Sequence, residues 1–183
     1  MIYHLSLQTA GILAGVFLLL VSLPALLLPD ASRDWIKSVP RSYLIGAVLL
    51  TIAALWSFWL LATMEMGEFA NFRKPLLFAL PVGYVLVLRF VNEFLAVRAL
   101  GILYLLAAEP LLDAAFLRYE SSRLLVTVLA YILIVKGLFW VTMPYLMRDG
   151  ISWITRTIGR WISLNAVVLI YGAITLVCAF TRY

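Results

Sequence analysis

Hydrophobic residues occur along this chain in long runs that are separated by short polar segments. A helix that crosses a bilayer needs about 20 apolar residues, and four runs meet that requirement without ambiguity. The pattern therefore predicts an all-α fold, a polytopic transmembrane helical bundle that forms a single membrane domain over residues 1–183. The four clear spans are residues 9–28, 43–63, 124–145 and 161–180.

The same order of polar and apolar positions occurs twice. In both copies an apolar run ends at a proline, an amphipathic segment with a Trp-Ile pair follows, and a second apolar run begins after an arginine. We interpret this as an internal repeat of two related hairpins, 9–63 and 124–180, with a central hairpin at 75–118. The matching positions are Pro24, Trp35, Ile36 and Arg41 in the first copy and Pro144, Trp153, Ile154 and Arg160 in the second.

The polar segment inside each repeat predicts a short interfacial helix. In residues 30–38 and 149–160 the large apolar side chains lie mainly on one side and the charged ones on the other. An amphipathic helix of this kind lies in the plane of the lipid headgroups. We interpret both segments as structural elbows that orient the hairpins, with a partner-docking surface as the alternative.

The middle of the chain has two interpretations. A single helix over residues 82–108 gives five spans and places Arg89, Glu93 and Arg98 near the bilayer centre. Each charge there costs about 2.5–3.5 kcal/mol on insertion scales. The alternative is a pair of spans that meets at these charges and leaves them at an interface, where water and headgroups solvate them.

We favour the second interpretation, which has six spans. Its central hairpin consists of residues 75–90 and 94–117, and Pro75 suits the first position of a helix. The turn over 91–93 lacks glycine and proline, which counts against it.

The number of spans decides how the repeats are related. With six spans the segments 29–42 and 147–160 lie on the same side and the repeats are parallel, whereas five spans would make them inverted. Counting lysine and arginine favours six, and the positive-inside rule then places both segments in the cytoplasm.

Composition supports a membrane protein and argues against most chemistry. The chain is 65% hydrophobic and 13% charged, whereas soluble domains average about 45–50% and about 25%. The lipid bilayer is therefore the expected partner. The net charge is +5, and the basic residues are scattered along the chain, so we do not expect nucleic acid as a partner. With one histidine, His4, and one cysteine, Cys178, and no hydrolase or nucleotide motif, we expect no cofactor, no metal and no enzymatic activity.

Three sets of polar residues remain as candidates. Arg89, Glu93 and Arg98, together with Asn92, could hold a lipid headgroup or an anionic substrate. The competing interpretation is a self-neutralising cluster that fixes the depth of the hairpin, in which Arg89 pairs with Glu93 if the segment is helical.

Carboxylates and a lysine form the other two sets. Glu109 and Asp113 are spaced i,i+4 in an apolar context, which suits proton or cation handling unless this helix end simply meets water. Lys136 lies near the middle of the span 124–145 and should face the bundle interior or a partner, because an unpaired ammonium there is costly. Its available counter-charges are Glu109, Asp113 and Glu93.

Small residues predict close helix packing. Gly11 and Gly15 form a GxxxG motif in the first span, and Gly172 lies in the last. Such spacing lets helix backbones approach each other closely.

The C-terminal third resembles a family of very small two-helix bacterial inner-membrane proteins of unknown function. The resemblance lies in Lys136-Gly137-Leu138, Pro144, Trp153, Arg160 and the closing apolar run. It implies a hairpin in the inner (cytoplasmic) membrane of a bacterium and no particular activity.

We expect a non-catalytic structural or accessory subunit of a larger membrane complex, such as an energy-transducing one, with other membrane subunits or itself as partner. The alternative is a small ion or solute transporter or channel that acts as a homo-oligomer through Lys136, Glu109 and Asp113. A third interpretation is a lipid-binding or lipid-modifying protein that uses Arg89 and Arg98.

Overall fold

The computed structural model describes residue 3 and residues 5–91 and 93–182. Over these residues the chain is helical, with no strand, and six helices are long and apolar enough to cross a membrane. Two short helices and two 3₁₀ turns, Val39–Arg41 and Gly67–Phe72, connect them. The helices are α1 Leu7–Leu27, α2 Pro29–Ser38, α3 Tyr43–Thr63, α4 Arg73–Phe90, α5 Leu95–Ala115, α6 Arg123–Thr142, α7 Tyr145–Thr155 and α8 Ile158–Thr181.

The all-α, six-span prediction is confirmed. The middle of the chain forms the hairpin α4–α5 and not one long helix. Its turn solves the absence of glycine through Phe94, which adopts a left-handed conformation with φ of 55° directly before α5. Few non-glycine residues adopt that conformation, so this turn could not be predicted from local sequence. Asn92 lies outside the described residues.

Serine caps and prolines set several helix ends. Ser6 and Ser42 precede α1 and α3, and their hydroxyl oxygens accept the N–H groups three residues further on, at 3.1 and 3.3 Å. Capping of this kind satisfies one of the free donors at a helix start. Pro29 begins α2 directly after the break that ends α1, and Pro144 follows the end of α6. Proline favours such positions because it lacks the N–H that a helix interior requires.

Glycines bring the main helix pairs into close contact. α1 packs on α8, and a Cβ added to Gly15 would lie 3.0 Å from the carbonyl oxygen of Gly172. α5 packs on α6 in the same way, with 2.9 Å between a Cβ on Gly101 and the carbonyl oxygen of Gly137. Gly11 is buried in α1 as well. The predicted packing role of the first-span glycines therefore agrees with the contact between α1 and α8.

The two repeats share an architecture but not their neighbours. Each consists of a span, a short helix and a second span, namely α1–α2–α3 and α6–α7–α8. α1 packs on α8, and a two-fold relation between the repeats would require α6 to pack on α3 in the same way. Instead α5 packs extensively on both α3 and α6, and it carries many of the buried residues. The central hairpin thus breaks the symmetry of the repeat.

Both short helices lie at one end of the bundle, as a parallel repeat requires. α2 contacts α7, and the Nη2 group of Arg33 donates a hydrogen bond to the carbonyl oxygen of Thr155 at the end of α7. Trp161 of α8 reaches the end of α1 and donates from Nε1 to the carbonyl oxygen of Ala25 at 2.9 Å. The turn between α4 and α5 lies at the same end, where the Arg148 guanidinium is 6.0 Å from the ring centre of Phe94. We call this the α2/α7 end.

Candidate functional site

An open groove lies at the end of the bundle opposite the α2/α7 end. It has a volume of about 1090 Å³ and separates the C-terminal part of α3 from α5 and α6. Its wall is mostly apolar and aromatic but includes three carboxylates, Glu65, Glu109 and Asp113. The other lining residues are Trp59, Thr63, Met64, Leu105, Ala108, Leu112, Phe116 and Ile134.

The segment before α1 borders this groove. A smaller cavity of about 430 Å³ shares Asp113 with it and is lined by Tyr3 and Arg118, among others. The Tyr3 ring packs on Trp59 with 5.6 Å between ring centres, and its hydroxyl accepts a hydrogen bond from the indole of Trp56. Burial raises the pKa of Tyr3, the indole hydrogen bond partly offsets this, and the negative charge of Glu109 raises the pKa further. The Tyr3 hydroxyl therefore interacts electrostatically with the Glu109 carboxylate.

The groove carboxylates form no ion pair among the described residues, although Arg118 lines the smaller cavity with Asp113 and Arg73 donates a hydrogen bond to the carbonyl oxygen of Met64, next to Glu65. The ion pairs within the described residues are Asp30–Arg33, Asp34–Lys37 and Arg148–Asp149, and all three lie at the α2/α7 end, far from the groove. The described residues also contain no group of three or more His, Cys, Asp or Glu side chains that could hold a metal ion. The groove thus presents negative charge beside aromatic rings, which is an arrangement that attracts cations.

Lys136 lies on the outside of the bundle. Its side chain is exposed on α6, whereas the adjacent Gly137 is buried against α5. No ion pair links it to any described carboxylate. Of the two environments that we predicted, the bundle interior does not hold Lys136, and contact with a partner stays a prediction.

Lys136 and Glu109 lie at different depths in the bundle. α5 and α6 are antiparallel and cross where Gly101 meets Gly137, so Lys136 lies near the depth of Gly101. Glu109 is eight residues further along α5, which corresponds to about 12 Å along the axis. The predicted pairing of Lys136 with Glu109 or Asp113 within the chain is not formed.

The candidate headgroup residues are all near the turn between α4 and α5. Arg89 and Glu93 are exposed, and Arg98 is half-buried in the first turn of α5. Arg89 and Glu93 form no ion pair, because α4 ends at Phe90 and the helical i,i+4 geometry is lost between them. The Nε group of Arg98 is buried without a hydrogen-bond partner. Their interfacial position agrees with the six-span prediction, and binding of a headgroup stays a prediction.

Sequence reasoning missed three residues that the structure makes prominent. Glu65 and Tyr3 both lie outside the apolar runs that predict the spans. Trp161 is buried, unlike the exposed Trp35 and Trp153, and links α8 to α1. No sequence signal identified Trp161 either, because its acceptor is a carbonyl at the end of a helix 136 positions earlier in the chain.

These features define an integral membrane protein of the all-α class, with two spanning hairpins that each enclose a short helix. Comparisons with protein-family models, curated proteins and solved structures find no match to this chain.

Proposed function

We propose that the protein is a non-catalytic structural or accessory subunit of a larger membrane complex. The observation that carries this proposal is the position of α4. None of the residues of α4 is buried. It packs mainly on α3, and its Tyr84, Val87 and Leu88 are partly buried against a cluster formed by α3 and α5. Lipid tails are as apolar as leucine, so hydrophobicity alone does not hold such a helix in place. A neighbouring subunit would supply a further packing surface for its exposed side.

The total surface of the chain supports the same proposal. It exposes 11385 Å², against about 8900 Å² for a compact soluble monomer of 20.6 kDa. The excess reflects the groove, the peripheral α4 and the two short helices at one end. The exposed apolar surface of α4 and of the groove can pack against helices of neighbouring subunits.

Purification from native membranes tests the proposal. In a mild detergent, the tagged protein is expected to elute with one or more larger membrane proteins at a fixed stoichiometry, as measured by native gel and mass spectrometry. A tagged membrane protein of similar size and expression serves as the control for detergent carry-over. Recovery as a lone monomer or homodimer would contradict the accessory role.

We also propose that the α2/α7 end faces the cytoplasm of a bacterial inner membrane. The support is an excess of lysine and arginine at that end. The α2/α7 end carries Arg33, Lys37, Arg41, Arg89, Arg98, Arg148, Arg156 and Arg160, and the other end carries Arg73, Lys74, Arg118, Arg123 and Arg182.

Cysteine labelling tests this orientation. In a Cys178→Ser background and intact cells, a membrane-impermeant maleimide is expected to label Glu68→Cys and Glu120→Cys, because both positions lie at the opposite end and are exposed. Ser38→Cys and Ser152→Cys are expected to react only after permeabilisation. The reverse pattern would mean that the protein has the opposite orientation in the membrane. Labelling of one loop position and one short-helix position in intact cells would contradict the parallel repeat.

The acidic groove favours a second candidate function, a small cation or solute transporter acting as a homo-oligomer. Glu65, Glu109 and Asp113 border an open volume beside aromatic rings, and none of the three forms an ion pair within the described residues. Under this alternative, liposomes with the purified protein would take up a cation, and the double variant Glu109→Gln, Asp113→Asn would lose uptake while remaining folded. Absence of flux from correctly reconstituted protein would remove the alternative.

A further inference from the structure

The exposed face of α6 combines a charge with large apolar side chains. Ile132, Val135 and Phe139 are 42%, 52% and 48% exposed and flank Lys136 on the same side of the helix. Their i, i+3, i+4, i+7 spacing forms one continuous stripe. We call these four residues the α6 stripe. The stripe includes the ammonium group of Lys136, and a charge within a membrane span is costly unless a partner such as a carboxylate lies against it.

Lys136 is poorly placed to escape this cost by reaching the aqueous phase. It lies six residues before Thr142, the last residue of α6, which corresponds to about 9 Å along the axis. Side chains on a helix tilt toward its N-terminus, and in α6 that direction leads away from the nearer end. The N-terminal end of α6 at Arg123 is about 20 Å distant. The geometry therefore favours a partner over extension of the side chain into the headgroups.

We propose that the α6 stripe docks a transmembrane helix of a different polypeptide, and that this helix carries an aspartate or glutamate at the depth of Lys136. The proposal rests on the accessory role argued above and names the chemistry of the contact. Charge complementarity identifies the partner, because a carboxylate both neutralises the ammonium and accepts its hydrogen bonds. The apolar members of the stripe pack against the same helix.

A second copy of this chain does not meet the requirement. Within the six segments that can span the membrane, the carboxylates are Glu109 and Asp113, both in α5, and Glu68, which lies at the first turn of the third segment, at the end of the bundle opposite the α2/α7 end. A copy inserted in the same orientation holds its residues at the same depths. Its Glu109 would therefore be about 10 Å along the axis from Lys136 and lines the groove beside α3 and α6, and Asp113 would be further still, so a second copy offers no carboxylate at the depth of Lys136. The partner is thus a different chain.

Site-specific crosslinking tests the location of the contact. A photoreactive amino acid at Val135, in the full-length protein and native membranes, is expected to capture one polypeptide through a spanning segment that contains Asp or Glu. The matched control is Val167 on α8, which is 64% exposed and is not expected to yield that adduct. An adduct with a second copy of this chain, or with lipid alone, would overturn the proposal.

Charge substitutions test the chemistry. Lys136→Met keeps the length of the side chain and removes the charge, and it is expected to reduce recovery of the partner by about tenfold. Lys136→Arg is expected to retain most of it. Lys136→Asp is expected to abolish recovery, and changing the carboxylate of the captured segment to lysine is expected to restore it.

The outcomes separate this inference from the proposed function. If Lys136→Met recovers the larger partners at the wild-type level, the accessory role stands and docking through the α6 stripe is wrong. If the wild-type protein recovers no partner at all, the proposed function fails first. Failure of the charge swap to restore recovery would also overturn the inference, provided that both variants accumulate in the membrane.

Discussion

Replacing Gly46 with alanine is expected to destabilise the bundle by about 1–3 kcal/mol, the usual cost of overpacking a close contact. A Cβ at this position in α3 would lie 2.6 Å from the backbone nitrogen of Ala96 and 3.0 Å from the carbonyl carbon of Leu95. Both residues are fully buried in α5, and a backbone atom cannot move aside as the end of a flexible side chain can. Either α3 separates from α5, or both helices shift. Unfolding by SDS titration in mixed micelles measures the loss.

Gly83→Ala provides the matched control. Gly83 also lies within a spanning helix, α4, but a Cβ there would have no neighbour within 4 Å. Alanine favours a helix more than glycine does, so this variant is expected to be neutral or slightly more stable. Equal effects of the two substitutions would show that glycine content, and not the contact between α3 and α5, determines the stability.

Trp161→Phe is expected to cost about 1–3 kcal/mol, because it leaves a buried acceptor without its partner. The carbonyl of Ala25 is among the last of α1 and has no intrahelical donor. The indole of Trp161 supplies that donor at 2.9 Å, whereas the Ser32 hydroxyl is 3.5 Å away and bonds more closely to Leu28, at 2.7 Å. The aromatic ring is retained in phenylalanine, so most of the packing is kept. The same SDS titration measures the loss.

Trp35→Phe is the control for this second variant. Trp35 lies on α2 at the same end of the bundle, is 62% exposed and forms no side-chain hydrogen bond in the described part of the chain. Its replacement is expected to change the free energy of unfolding by less than about 0.5 kcal/mol. A loss as large as that of Trp161→Phe would mean that the indole–carbonyl bond contributes nothing specific.

The spans could be predicted because their signals are local. The length of each apolar run, the prolines after α1 and α6, and the charges around Arg89 and Arg98 are sufficient to divide the chain into six helices and two short ones. The cost of burying those charges decided correctly between five and six spans. These signals need no knowledge of which helices are neighbours.

The neighbours could not be predicted, because the spans are apolar on nearly every side. A helix in lipid shows no polar outer face, so its sequence does not reveal which side meets another helix and which meets lipid. For this reason Lys136 was expected inside or at a partner, and only the structure shows that it is exposed. Gly15 of the GxxxG motif lies against Gly172 of α8, whereas the close contacts of the single glycines at positions 46 and 101 had no motif to indicate them.

In the candidate groove, too, the local features could be predicted from the sequence and the tertiary contacts could not. The i,i+4 spacing of Glu109 and Asp113 was evident in the sequence, but Glu65 joins them only because α3 ends beside α5. Tyr3 borders the groove through contacts with Trp56 and Trp59, more than fifty positions away in the chain. Relations of that kind arise from tertiary structure and leave no periodicity behind.

The placement of α2 and α7 at one end also bears on how such a chain can arise in evolution. A unit with two crossings returns the chain to its starting side, so a gene segment that encodes it can be duplicated in tandem without altering the charge bias of its loops. The α4–α5 hairpin between the two copies has two crossings as well, so its presence leaves the orientation of the second copy unchanged. A unit with three crossings would emerge upside down after duplication, and its basic residues would have to be redistributed before both copies could insert correctly.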